Sequence, residues 1–295
     1  MADIAILETR ERVLAGILFT GAAYLMFSMQ DASIKLLVVG MSVWQIMFFR
    51  SVTILIACAA VGGRRLFEDT ARSPIVKPMF VRSAFTLAAW LCYYNAARHL
   101  QLAELTTIYY AAPIIVTVLS VIMLGEKVPL LRWLAVLIGF AGVFVACDPA
   151  NLGLSMPVLL VLAAALLWGI AIVLMRKTAM AERTMIQLIL NNFYFLVFSM
   201  VPALLLWQMP DWGQVLLLIS VGALGGVAQC LLFEGMKRAP VSIVAPFEYT
   251  SLVWAFALGF AIWGDVPRHE VFLGAALIFA AGLLIIGNEH FRKRL

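Results

Sequence analysis

Tyr94-Asn95-Ala96-Ala97-Arg98, read 139 positions further on, becomes Phe233-Glu234-Gly235-Met236-Lys237, and Leu124-Gly125-Glu126 becomes Trp263-Gly264-Asp265. The two stretches align without a gap over about fifty positions. With one extra residue, Ile138-Gly139-Phe140-Ala141-Gly142 meets Ile278-Phe279-Ala280-Ala281-Gly282, and at a shift of 141 Phe27 and Lys35 meet Trp168 and Arg176. Apolar helices resemble one another by composition alone. Polar residues falling at matching places carry more information, and they mark this chain as a duplication.

The repeated unit is apolar throughout. Of 295 residues, 64% are hydrophobic and 13% charged, about half the charged share of a soluble domain. The mean hydropathy is +1.02. Such a chain cannot cover a water-facing surface with polar side chains, and it holds too much apolar material to be disordered. A bilayer-spanning helix needs about 20 mostly apolar residues. Ten such runs are predicted, at 13–37, 42–62, 79–98, 102–123, 128–147, 155–175, 184–207, 213–236, 240–263 and 269–288. The connections are short except for 63–78. The acidic residues Asp3, Glu8 and Glu11 precede a first run long enough to span, so the N-terminus does not read as a signal peptide. Cys58, Cys92, Cys147 and Cys230 all lie within apolar runs, without paired spacing, and read as small buried hydrophobes.

Lysine and arginine orient the runs. With the N-terminus inside, the inside segments hold Arg10, Arg12, Arg64, Arg65, Arg72, Lys77, Arg82, Lys127, Arg132, Arg176, Lys177, Arg183, Lys237, Arg238, Arg292, Lys293 and Arg294, which is 17 of the 21 basic residues. The outside loops hold Arg98 and Arg268, while Lys35 and Arg50 fall within spans. This asymmetry places both termini in the cytoplasm, and it explains the net charge of +5 without nucleic acid. Five spans per repeat is an odd number, so the second repeat enters the membrane upside down. The expected fold is therefore all-α and integral to the membrane, with ten spans as a five-plus-five inverted repeat, 1–148 and 149–295. Secondary transporters use that architecture for alternating access.

The duplication, the Leu-Gly-Glu at 124–126, the Trp-Gly-Asp at 263–265 and the glycine-rich fifth and tenth spans together resemble the drug/metabolite transporter superfamily, EamA type. The likeness covers nearly the whole chain. The second copy departs from it by carrying Asp265 in place of Glu. Within that superfamily the sequence is similar to bacterial exporters of amino acids and related metabolites. The resemblance implies a central cavity lined by spans one, three, four, six, eight and nine, with spans five and ten at the periphery.

No phosphate loop and no His-Glu-x-x-His motif is present, and His99, His269 and His290 are too scattered for a metal or relay cluster. The expectation is a carrier without enzymatic activity, cofactor or metal, working on a small molecule within a lipid bilayer. Export of amphipathic metabolites, amino acids first, is the leading expectation. Vitamins, nucleotide-like compounds and drugs are the alternatives, and a channel, receptor or membrane enzyme is the alternative class.

Ionisable groups inside spans are costly and default to functional candidates. Asp31 and Lys35 stand four apart on span one, and Arg50 lies at similar depth on span two. They are candidates for an outer gate or a coupling site, set against a static ion cluster tying span one to span two. Glu248 lies on span nine just after Pro246, and the repeat pairs it with Tyr109, near Pro113. It is a candidate substrate or proton site, against a buried hydrogen-bonded carboxyl. Glu104 and Glu234 read as interfacial. Trp90, Tyr93, Tyr94, Tyr109, Tyr110, Trp168, Phe247, Tyr249 and Trp254, with Asn95, Asn191, Asn192 and Gln229, read either as core and interhelical glue or as pocket lining. The resemblance favours Trp90, Tyr94, Tyr109, Trp168, Gln229 and Glu248 as substrate-binding residues. Gly222, Gly225 and Gly226 on span eight read as close-approach positions, as do Gly139, Gly142, Ala276, Ala280, Ala281 and Gly282 on spans five and ten. The latter faces would serve a homodimer or lipid contact equally well.

Overall fold

The computed structural model describes residues 2–292 apart from 113–114, 116–117, 120–121, 123–129, 148–154, 179–181 and 239–249; inside helices it describes the side chains except at 2–10, 131–132, 136, 147, 175–178, 233, 236–237 and 282–292. Among the described residues all regular structure is helical. In chain order the helices are α1 (Ala2–Leu37), α2 (Val43–Ala71), α3 (Val76–Ala96), α4 (Leu102–Tyr109), α5 (Leu130–Cys147), α6 (Met156–Thr178), α7 (Thr184–Leu205), α8 (Trp212–Arg238), α9 (Thr250–Trp263) and α10 (His269–Arg292). Five stretches, Glu11–Leu37, Val43–Ala71, Met156–Leu174, Thr184–Leu205 and Trp212–Leu232, are long and apolar enough to cross a bilayer; Trp133–Ala146, Thr250–Trp263 and His269–Ala281 are shorter apolar helices.

The packing follows the duplication. α1 lies along α8 and α3 along α6; α1 also touches α9, and α4 touches α6; α2 pairs with α7, α4 with α9 and α5 with α10. Exchanging each helix with the one five places later turns the first pair of contacts into each other, does the same to the second, and leaves the last three unchanged. α2 and α8 meet, as do α3 and α7, and these contacts exchange as well.

Inside a bilayer helices gain little from burying apolar surface against one another, so close packing of small residues has to hold them. Gly222 lies against Thr53 and Gly226 against Ile54, which seats α8 on α2. Gly235 lies against Thr20 and the Gly16 carbonyl, seating α8 on α1. Gly142 and Gly274 face each other's backbone carbonyls where α5 crosses α10. The close approach read at Gly142 is therefore satisfied within the chain. The outward faces carry large exposed apolar side chains, among them Val61, Leu137, Leu205 and Phe260, as a lipid-facing surface should. Cys58 is buried, and Cys92 and Cys230 are half-buried.

The 63–78 connection is shorter than its sequence implies. Gly63, at φ 58, breaks α2, and helix resumes to Ala71. Positive φ costs glycine nothing. Beyond it, Leu66 and Phe67 pack inward against the small cores around Ile54 and Met79, while Arg64 and Glu68 pair on the exposed side at 2.9 Å. Charge density made this segment look like a loop, yet it has an amphipathic face.

Candidate functional site

The centre of the bundle is organised around one cation. Arg50 on α2 is fully buried. An isolated charge there would be prohibitively costly, and among the described residues oriented polar groups, not a touching carboxylate, surround it. Its Nε donates to Gln30 Oε1 on α1 at 3.5 Å, and its Nη1 donates to Asn192 Oδ1 on α7 at 3.1 Å. Asn192 donates its own amide to the Leu188 carbonyl at 2.8 Å, which turns its oxygen toward Arg50. The guanidinium lies over the Trp90 ring of α3, 4.4 Å from its centroid, in cation–π contact. Gly225 of α8 completes the enclosure. A Cβ there would meet Gln30 Oε1 and lie 2.9 Å from Arg50 Nη2, so a side chain at this position would displace the ends of both.

From Arg50 a directional chain of hydrogen bonds leads to Asp31. Gln30 Nε2 donates to Tyr94 Oη at 3.3 Å, and the Tyr94 hydroxyl donates to Asp31 Oδ1 at 2.8 Å. Every donor points from the cation toward the carboxylate, so each bond polarises the next. Two neutral side chains, Gln30 and Tyr94, thus link Arg50 to Asp31. Arg50 Nη2 has no hydrogen-bond partner among the described residues.

Aromatic rings pack around this chain. Trp90 sits edge-on to Phe195 at 5.3 Å and to Tyr94 at 6.3 Å, and Tyr93 bridges Tyr94 and Tyr109 at 5.3 and 5.0 Å. Tyr93 shares a hydrogen bond with Thr106 at 3.4 Å, and Tyr110 shares one with Ser251 at 2.6 Å, linking α4 to α9. The structure thus brings together Asp31, Arg50, Trp90, Tyr94 and Tyr109. Trp168 on α6 is half-buried against the main apolar core. Gln229, one turn beyond Gly225 on α8, holds a buried Oε1 without a partner among the described residues. Glu248, with Pro246, Phe247, Tyr249 and Pro113, lies outside the described residues.

Lys35 corrects the expectation of a helical pair with Asp31. Asp31 turns to Tyr94, while Lys35 reaches Asp265 Oδ2 at 3.5 Å and covers the Trp263 ring at 4.6 Å. Residues four apart on a helix can pair, but here Asp31 is taken by the Tyr94 hydroxyl and the long lysine stem reaches a neighbouring element. Glu104, read as interfacial, is buried. It accepts from the Gln101 backbone N–H at 3.2 Å in a capping box and from Arg268 Nε at 3.2 Å. At this same end Gln45 donates to the Gln208 carbonyl at 2.7 Å and accepts from its N–H at 3.0 Å, and Arg98 donates to the Met41 carbonyl at 3.0 Å. At the arginine-rich end, Ser73 donates to Glu182 at 2.9 Å and Arg82 to Gln187 at 3.2 Å. A lateral groove of about 590 Å³, lined by Asn95, Arg98, His99, Met156 and their neighbours, opens between α3 and α6. It lies to one side of the aromatic cluster. Asn95 itself donates to its own helix, at Leu91, and not into a central space.

A profile of the EamA-like transporter family matches residues 14–147 and again 155–287. The chain belongs to the EamA-like transporter family. The riboflavin transporter of Vibrio cholerae is 30% identical over 62% of this EamA-like chain and 62% of its own length. The S-adenosylmethionine uptake transporter of Rickettsia prowazekii is 24% identical over 62% of the chain and 63% of its own length. The matches therefore span just over three-fifths of these two relatives. The pseudopaline exporter of Pseudomonas aeruginosa is 25% identical over 90% of the chain and 94% of its own length. A solved crystal structure, 18% identical, superposes with a TM-score of 0.64 over 93% of this chain and 96% of that one. Family membership and the long apolar helices make this EamA-like chain a multi-pass inner-membrane protein. None of these three relatives is named for amino acids, so the leading substrate expectation is not supported at that level of detail.

Sequence reading left three parts of the site in the background. Gln30 was overshadowed by Asp31 beside it. Asn192 was noted only as a polar group at depth. Asp265, Glu104 and Arg268 sit at helix ends, where charge is ordinary. The available signal was Gly225, since a glycine facing two long polar side chains is required by close approach, but its neighbours belong to other helices.

Proposed function

We propose that the chain is a secondary transporter of small amphipathic metabolites, working by alternating access between inverted five-helix halves, 1–148 and 149–295, with ten spans and both termini in the cytoplasm. The contacts that exchange when helices are renumbered by five support the two-half reading, and the basic-residue asymmetry supports the orientation. Among substrates, planar polar heteroaromatics of vitamin or nucleotide type rank above free amino acids. Relatives named for riboflavin and S-adenosylmethionine favour them, and so do the Trp90, Tyr94 and Tyr109 rings around a buried arginine. A substrate of this kind offers ring faces for stacking and acceptors for a donor. Trp168, Gln229 and Glu248 belong to the same proposed lining.

The observation that carries the mechanism is the directional chain Arg50–Gln30–Tyr94–Asp31, anchored on Asn192 of the other half. Asp31 is the coupling residue in this reading. Protonating it weakens the acceptor that orders the chain and loosens the tie between the halves. Lys35 acts as a gating residue, Arg50 as the fixed counter-charge. Catalysis forms no part of this reading, and no cofactor is called for.

The test is counterflow in proteoliposomes loaded with riboflavin, S-adenosylmethionine or mixed amino acids, with empty vesicles alongside. Saturable, trans-stimulated uptake of a vitamin or nucleotide-like substrate is the expected outcome. Stimulation by amino acids alone would return the substrate class to the first expectation. Unsaturable flux would make the protein a channel. Glu248→Gln should lower uptake at least tenfold with normal folded yield; full uptake by that variant would remove Glu248 from the site.

A further inference from the structure

Asp265 follows Gly264, the residue after the last turn of α9. Gly264 has φ +68, a conformation that side chains resist. Its N–H returns to the Phe260 carbonyl at 2.9 Å, and the Asp265 N–H reaches the Gly259 carbonyl at 3.2 Å. This left-handed cap folds the chain back so that the Asp265 carboxylate meets Lys35 of α1. Three residues further, Arg268 meets Glu104 at the start of α4. One short turn of the second half thus grips two helices of the first half through two ion pairs. The Lys35 and Asp265 side chains are 12% and 22% exposed, and those of Arg268 and Glu104 33% and 10%.

We propose that Lys35–Asp265 and Arg268–Glu104 form the releasable lock that holds this mouth of the pathway shut, with Gly264 as the residue that positions it. The proposal deepens the transporter reading and rests on it for its consequence to transport. Two features make the pairs a lock and not a brace. They join elements of opposite halves, which must separate here for the mouth to open. Lys35–Asp265 also remains partly exposed on both sides, so water can replace the partners when that pair breaks. The repeat supplies sequence counterparts, Arg176 for Lys35 and Glu126 for Asp265; their side chains lie outside the described residues, and the proposal is confined to the mouth at Lys35.

Spin labels at Val39→Cys and Val266→Cys, both on exposed positions, in a background without the four native cysteines, report the opening of this mouth with no need of a substrate. Asp265→Asn and Lys35→Met should each raise the proportion of the longer inter-label distance by roughly twofold to fivefold, the leverage of a partly exposed pair. The charge exchange Lys35→Asp with Asp265→Lys should restore the original distribution. If Lys35→Met does not fold, the near-isosteric Asp265→Asn carries the comparison. Unchanged distances in a folded Asp265→Asn variant, or no restoration by the exchange, would overturn the lock. A second arm links Lys35→Cys to Asp265→Cys with a short cleavable thiol cross-linker. Counterflow should fall at least tenfold and return on cleavage; normal turnover while linked overturns the proposal. Distances that respond in a protein without counterflow would instead sink the transporter reading and leave the lock standing.

Discussion

Two charged regions of this molecule handle the same problem in opposite ways. The Arg50 centre contains a cation that, among the described residues, touches no carboxylate. It is enclosed by amide oxygens, an indole face and a glycine, and hydrogen bonds link it to Asp31 through Gln30 and Tyr94. The Lys35 mouth uses direct ion pairs and leaves the Lys35–Asp265 pair partly in water. A sealed charge is expensive to disturb, because each partner removed strands another polar group away from solvent. A wet pair is worth about 0–1 kcal/mol and is easily traded for water. The first arrangement suits a fixed point about which other parts move, and the second suits a contact that must be made and broken.

Substitutions can break this contrast. The largest effect is expected for Arg50→Met. It removes the charge that organises Gln30, Asn192 and Trp90 together, and should cost about 3–5 kcal/mol of stability, read as a large fall in folded yield and melting temperature in detergent. Arg50→Lys should recover little, since an ammonium lacks the planar fork and the stacking surface. A stable Arg50→Met variant would make the centre no firmer than the mouth.

A smaller but still marked loss is expected at Gly225→Val, where the new side chain meets Gln30 and Arg50. Overpacking of this kind typically costs about 1–3 kcal/mol. Folded yield should fall without a change in substrate preference among the surviving molecules. A well-folded variant with altered preference would place Gly225 on the substrate path.

The smallest effect is expected from Asp265→Asn at the mouth, within about 1 kcal/mol, so its melting temperature should stay near that of the parent. A shift as large as that of Arg50→Met would turn the lock into a structural brace. Tyr94→Phe falls between these extremes. It cuts the relay while keeping the ring, and counterflow should drop severalfold with yield nearly intact; unchanged counterflow would separate the relay from transport.

How much of this was legible beforehand depended on the range of the interaction. The duplicated Gly-Glu and Gly-Asp, the apolar runs and the cluster of small residues on α8 are local or periodic, so they could be read residue by residue. Arg50, Asp31, Trp90 and Tyr94 could be picked out because polar and aromatic groups at membrane depth are exceptional. Their partners could not. Lys35 was read beside Asp31, its neighbour in sequence, and lies against Asp265, 230 positions away. Glu104 was read as wetted, and is covered by Arg268.

The sequence by itself determined the solvent, the duplication, the all-helical class and several of the costly buried groups, because those follow from composition and period along one chain. Only the tertiary structure decided who neutralises whom. Hydrogen bonds and ion pairs act over a few ångströms in space, and helices of opposite halves meet at places that no spacing along the chain records.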